Sequence, residues 1–245
     1  MKHCRLKSIF LSTLLLASAP TTFAAMGDDP LLTKVMSEFE YLPSEAKGAL
    51  EWNVDAWLGR DLHKVWLKSS GKGVREESGN EIENANIELV YSRAVHTTWD
   101  QQFGLRHDYN SDSDLNSRDW MSLGYIGTAP YFIAVDARLF VGEESSTQLL
   151  IELEREIMLT QEWVLTPELD VIANGRSNAD FGEGSGLAEV EFSLRLGYEH
   201  NGNRKFQPFI GITGHQRFGG TKRLHKKEGH KSGGIEAMLG IHSWF

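Results

Sequence analysis

The chain has 245 residues, 40% of them apolar, and carries 25 Lys and Arg against 34 Asp and Glu for a formal net charge of −9. That balance argues against nucleic acid as a partner, because phosphate binding needs clustered Lys and Arg. The single cysteine, Cys4, lies near the start, so the chain beyond it has no disulfide, thiolate metal site or cysteine nucleophile.

Residues 1–24 read as a secretory signal. Lys2, Arg5 and Lys7 precede an apolar run over 8–19, and Thr22-Phe23-Ala24 offers small residues for cleavage before Ala25. Removing three basic and no acidic residues takes the formal charge from −9 to −12. The apolar run is too short to span a bilayer, and no later run of roughly 18 to 20 apolar residues exists, which excludes a helical membrane protein. A short periplasmic segment, 25–35, is expected next, followed by one domain over 36–245 with no Pro- or Ser-rich linker dividing it.

Within that domain apolar residues fall on every second position, and no stretch has a convincing helical period. They alternate at Leu50, Trp52, Val54 and Ala56, at Ala85, Ile87, Leu89 and Tyr91, and at Ile133, Val135, Ala137, Leu139 and Val141. The beat returns at Leu149, Ile151 and Leu153, at Leu165, Pro167, Leu169 and Val171, at Val190, Phe192, Leu194, Leu196 and Tyr198, and at Pro208, Ile210 and Ile212. Weaker segments near 36–42, 63–69, 99–108 and 119–127 and a last strand ending on Trp244-Phe245 bring the count to about twelve. An even number suits a closed barrel with both ends in the periplasm, and a terminal aromatic is usual for the last strand of an outer-membrane barrel.

Between the apolar positions stand Asp55, Glu88, Asp108, Asp136, Glu152, Glu154, Glu168, Asp170, Glu189, Glu191 and Glu236, with Arg106, Arg138 and Arg195. A soluble sandwich would show the same alternation, with this face toward water. Loop lengths favour the barrel. Long polar connections at 69–80, 110–118, 175–186 and 219–233 alternate with tight ones at 59–61, 96–97, 127–130, 160–162 and 200–204, as between outside and periplasm. Tyr41, Trp99, Tyr131, Trp163, Tyr198 and Phe206 suit interfacial girdles, while Pro167 and Pro208 each remove a ladder donor and call for a bulge or a barrel end. The reading is an all-β, transmembrane antiparallel β-barrel of outer-membrane type.

Several segments resemble the outer-membrane copper-resistance protein B family. They include Asp29-Pro30-Leu31-Leu32, Ala56-Trp57-Leu58-Gly59-Arg60-Asp61 leading into Lys64-Val65-Trp66, and Leu89-Val90-Tyr91-Ser92-Arg93-Ala94. Gly104-Leu105-Arg106-His107-Asp108, Ala129-Pro130-Tyr131, Leu159-Thr160-Gln161, Gly184-Ser185-Gly186-Leu187 and Trp244-Phe245 follow in order. The resemblance spans the mature chain. It implies a role in copper tolerance or copper movement at the outer membrane, with copper as cargo or ligand, and a periplasmic multicopper oxidase or copper chaperone as companion. Many members carry a long Met- and His-rich segment before the barrel, whereas 25–32 here holds only Met26, so metal chemistry is expected in the barrel or its loops.

Copper(I) favours thioether and imidazole, and copper(II) imidazole with carboxylate. Met238, His242 and Glu236 share one face of the last strand, His215 points the same way on its neighbour, and Met158 accompanies Glu154. Met238 and His242 are about 13 Å apart at roughly 3.3 Å per residue, so they act as successive stations or each takes ligands from another strand. The bland alternative is that Met238 fills space and His242 hydrogen-bonds. In the last long loop His225 and His230 are a further pair, but Lys222, Arg223, Lys226 and Lys227 repel a cation and suit lipopolysaccharide phosphates better. Excess lumenal carboxylates imply a hydrated pore that attracts cations. A non-selective cation pore and a structural or adhesive barrel with an inert, ion-paired lumen are the alternatives. An outer-membrane hydrolase using His107 near Ser111 and Ser113 lacks a recognisable nucleophile frame.

Overall fold

The computed structural model describes residues 29–43, 48–76, 79–110, 117–227, 229 and 231–245. The expected signal and its cleavage site, Met26, Ser111, Ser113 and His230 lie outside them.

The strands are β1 (Leu32–Leu42), β2 (Ala49–Gly59), β3 (His63–Glu76), β4 (Gly79–His96), β5 (Trp99–Asn110), β6 (Arg118–Ala129) and β7 (Ile133–Gly142). They continue with β8 (Thr147–Glu154), β9 (Ile157–Met158), β10 (Trp163–Asn174), β11 (Gly186–Tyr198), β12 (Phe206–Arg217) and β13 (Gly233–Trp244), and an α-helix, α1 (Gly219–Lys227), lies between the last two. Every pairing is antiparallel, and β1 pairs with β13 from Met36↔Trp244 to Tyr41↔Leu239, which closes the sheet. β8 and β9 both pair with β10 in one register, Glu154↔Glu168 and Ile157↔Leu165, so they are two pieces of one stave and the barrel has twelve.

The break between β8 and β9 has a simple cause. Arg155 donates its N–H to the Pro167 carbonyl at 3.1 Å, but Pro167 has no N–H to return. Pro167 therefore interrupts the ladder without the expected bulge. Pro208 lies one residue past the end of the β11–β12 ladder at Gly197↔Phe209, the barrel-end position foreseen for it.

Register assigns the faces. Leu105, Met121 and Ile210 are more than 60% exposed, while Glu88, Lys68, Arg195 and Arg138, on the opposite face, are at most 8% exposed. Apolar groups outside and charges inside invert the burial of a water-soluble protein, and a lipid environment accounts for it. The outward face carries Tyr41, Tyr131, Trp163 and Phe206, each at least 41% exposed, at the barrel ends.

Both ends of the sheet-forming chain, at Leu32 and Trp244, lie at the end with the short turns. Three local expectations change. β1 begins at Leu32, inside the segment expected to precede the barrel. Most of 69–80 is not a loop but an extension of β3 and β4, in which Ser70↔Asn86 and Lys72↔Asn84 continue the inward face above the apolar band. The loop after β12 holds the helix α1.

Candidate functional site: an acidic vestibule above an ionic deck

The inward face of a closed barrel brings together side chains remote in sequence. Arg138 on β7 reaches across to Glu88 on β4 at 2.6 Å and also meets Asp136 at 3.0 Å and Glu152 at 3.5 Å. Lys68 on β3 crosses to Asp136 at 2.9 Å, and Ser122 Oγ donates to Glu88 at 2.5 Å. On the other side Arg195 on β11 binds Glu38 of β1, with Glu154 at 2.7 Å, Glu168 at 2.8 Å and Glu40 at 3.8 Å. Glu152 and Glu154, two residues apart on β8, join the two networks into one deck spanning the lumen. It sets seven carboxylates against three cations.

Above the deck, in the half toward the long loops, lies a cavity of about 490 Å³. Eight carboxylates line it, Glu38, Glu40, Glu51, Glu152, Glu168, Asp170, Glu189 and Glu191, with one lysine, Lys72. Several have partners: Glu51 pairs with Lys72 at 3.2 Å, Glu189 with Arg217 at 3.3 Å, and Glu191 accepts from Thr213 at 2.6 Å. Asp170 Oδ1 is buried and accepts no hydrogen bond from the described residues. Below the deck a pocket of about 10 Å³ is lined by Glu38, Glu154, Glu156, Arg195 and His242 among others.

The mouth is partly covered. Arg118 on β6 binds Glu183 through two hydrogen bonds of 3.0 and 2.8 Å and stacks 3.9 Å over Phe181, which draws the β10–β11 loop across the opening. Thr221 of α1 accepts the Gly184 N–H at 2.9 Å, and Gly184 and Gly220 approach so closely that a Cβ on Gly184 would strike the α1 backbone. Arg106 and Trp120 both donate to Asp108 at this end, at 2.5 and 2.8 Å.

Met238 is 3% exposed and lines the vestibule. His242 lies on the other side of Glu38, its Nδ1 3.6 Å from the carboxylate, so the two candidate stations flank the deck. His215 faces Glu191 across β11–β12, and Glu236 faces Thr213 across β12–β13. Asp55 is opposite Lys68. Met158 stands apart at the short-turn end, 52% exposed, its Sδ 3.0 Å from an Arg204 nitrogen. His225 is on α1 with Nδ1 3.0 Å from the Thr221 carbonyl. His107 faces outward and pairs with Asp119 at 2.7 Å. No group of three or more His, Cys, Asp or Glu able to hold a metal occurs among the described residues.

Sequence reasoning passed over Glu38, Glu40 and Lys68. Their signal was the same period of two: Glu38 and Glu40 alternate with Phe39 and Tyr41, and Lys68 follows the outward Val65 and Leu67.

Residues 31–245 match the family described as copper resistance protein B precursor (CopB). The chain is 31% identical over 211 residues to copper resistance protein B of Escherichia coli, covering 86% of this chain and 68% of that one. It is 27% identical over 211 residues to the copper resistance protein B homolog of Pseudomonas syringae pv. tomato, covering 86% and 69%. Among solved structures the NanC porin superposes with a TM-score of 0.51 at 11% identity, covering 86% of this chain and 99% of the porin, a likeness of fold alone. With its sequence matched from the first strand to the last and its strands closed into a porin-like barrel, the chain belongs to the copper resistance protein B family.

Proposed function

We propose that this barrel resides in the bacterial outer membrane and, without catalysing a reaction, draws copper ions into its acidic lumen and passes them across as part of copper homeostasis. The observation that carries the reading is the vestibule, where eight carboxylates meet one lysine in the wall and the guanidiniums of Arg138, Arg195 and Arg217 around it, two negative charges for each positive one. Such an excess concentrates cations and repels anions within low-dielectric walls. Met238 in the vestibule wall and His242 beyond the deck supply the softer donors copper prefers, one on each side of Glu38. His215, Glu154 and Glu236 flank that route, and Met158 would act only at the short-turn rim. A periplasmic multicopper oxidase or copper chaperone would exchange ions at that rim, with lipid and lipopolysaccharide around the wall.

Copper flux into proteoliposomes containing the purified barrel tests this, with zinc and calcium as controls. Copper is expected to enter faster than either, and Met238→Ala/His242→Ala is expected to lower copper entry severalfold. Equal passage of all three ions would reduce the protein to an acidic pore. The deck favours one other reading, a barrel whose ion pairs close the lumen and leave it structural. Absence of any flux through folded protein would support that reading instead.

A further inference from the structure

The deck is made of two unlike halves. Arg138 is a fixed post: Glu88, its nearest partner, has a side chain only 2% exposed and is also held by Ser122, while Asp136 is clamped by Lys68. Arg195 is differently placed. Its partners Glu38, Glu154 and Glu168 have side chains 22, 38 and 26% exposed. The vestibule of about 490 Å³ lies on one side of it, lined by its partners Glu38, Glu40 and Glu168, while the pocket that Arg195 lines with Glu154 and His242 on the other side holds only about 10 Å³. A guanidinium on a flexible stem, with the vestibule on one side, has room to swing away from its carboxylates into that cavity.

We propose that Arg195 is the gate of this lumen, a tethered cation that plugs the deck and yields to divalent ions but not to monovalent ones. The seat gathers four carboxylates around one positive charge. A potassium ion brings the same charge as the guanidinium and none of its forked hydrogen bonds, so it does not compete. A divalent ion doubles the attraction at equal distance and can replace it. While the side chain is displaced, Glu38, Glu154 and His242 line the way from the vestibule to the short-turn end. The gate explains how a lumen rich in carboxylates avoids leaking monovalent cations. It rests on the copper reading only for the identity of the cargo.

The test measures potassium current in planar bilayers and copper entry in proteoliposomes for the wild type, Arg195→Gln and Arg195→Lys. The wild type is expected to pass little potassium. Arg195→Gln is expected to raise that current severalfold and to erase the preference for copper over potassium, with Arg195→Lys between the two. If Arg195→Gln carries no more potassium than the wild type, the gate is wrong, whatever copper does. If it passes potassium while neither barrel passes copper, Arg195 plugs the lumen against potassium, but its yielding to copper falls, and the copper cargo with it. Should Arg195→Gln fail to reach the compact folded form on unheated gels, Arg195→Lys carries the test, because an ammonium keeps the charge without the fork. An unchanged potassium current in that variant would overturn the proposal.

Discussion

At the scale of single residues, exposure decides what each lumenal charge is worth. Glu88 is almost wholly buried between Arg138 and Ser122, so Glu88→Leu leaves a guanidinium without its closest counter-charge. Breaking a buried pair from one side costs about 3–5 kcal/mol, and a lower urea midpoint for unfolding from detergent micelles measures it. Glu51 and Lys72, with side chains 38 and 22% exposed, make the contrast. Glu51→Gln is expected to cost less than about 1 kcal/mol in the same assay. The acidic face itself was legible in the sequence, since a period of two puts Asp55, Glu88, Asp136, Glu152 and Asp170 on one side of their strands. Their partners were not. Arg195 and Glu38 are 157 positions apart, and nothing local to either strand says that barrel closure and side-chain length bring them together.

At the scale of elements, one proline divides a stave. Pro167 sits in register opposite Arg155 and receives a hydrogen bond that it cannot return. Pro167→Ala supplies the missing donor and is expected to fuse β8 and β9. The gain is about 0.5–1.5 kcal/mol for one net hydrogen bond, seen as a raised urea midpoint and slower amide exchange around 155–157. A gain smaller than the assay error would mean that the break has another cause. The elements that sequence reading misjudged are the polar ones. The stretch 69–80 looked like a loop because it lacks apolar alternation, yet Ser70 accepts from Asn86 at 2.7 Å and Gly71 lets the Trp52 ring close over the backbone. Strands that leave the bilayer need no apolar face. The helix α1 escaped for a related reason: Leu224 is its only large apolar residue, so no helical period marks it, and contact with Gly184 and β11 holds it instead.

At the scale of the whole molecule, the architecture was legible because three signals agree: alternation in nearly every strand, an even number of staves, and tight turns at one end with longer connections at the other. The covering of the mouth was not legible, because the Arg118–Glu183 bond joins β6 to a loop that begins three staves further round the barrel, 65 positions along the chain. The inverted burial gives the sharpest test of the architecture. Leu105 lies midway along β5, 62% exposed, with Leu89 and Met121 beside it on the neighbouring strands. In a water-soluble sheet, replacing such an exposed leucine with arginine would change stability by no more than about 0.5 kcal/mol. At the midplane of a bilayer the same change costs about 2–4 kcal/mol, because the guanidinium must be drawn into hydrocarbon. Reversible folding of Leu105→Arg into liposomes, compared with wild type by tryptophan fluorescence across a urea series, separates the two. A loss in the larger range places β5 in lipid. A midpoint equal to wild type would mean that the apolar face meets water or another protein surface, and the conduction of ions across a membrane would lose its structural basis.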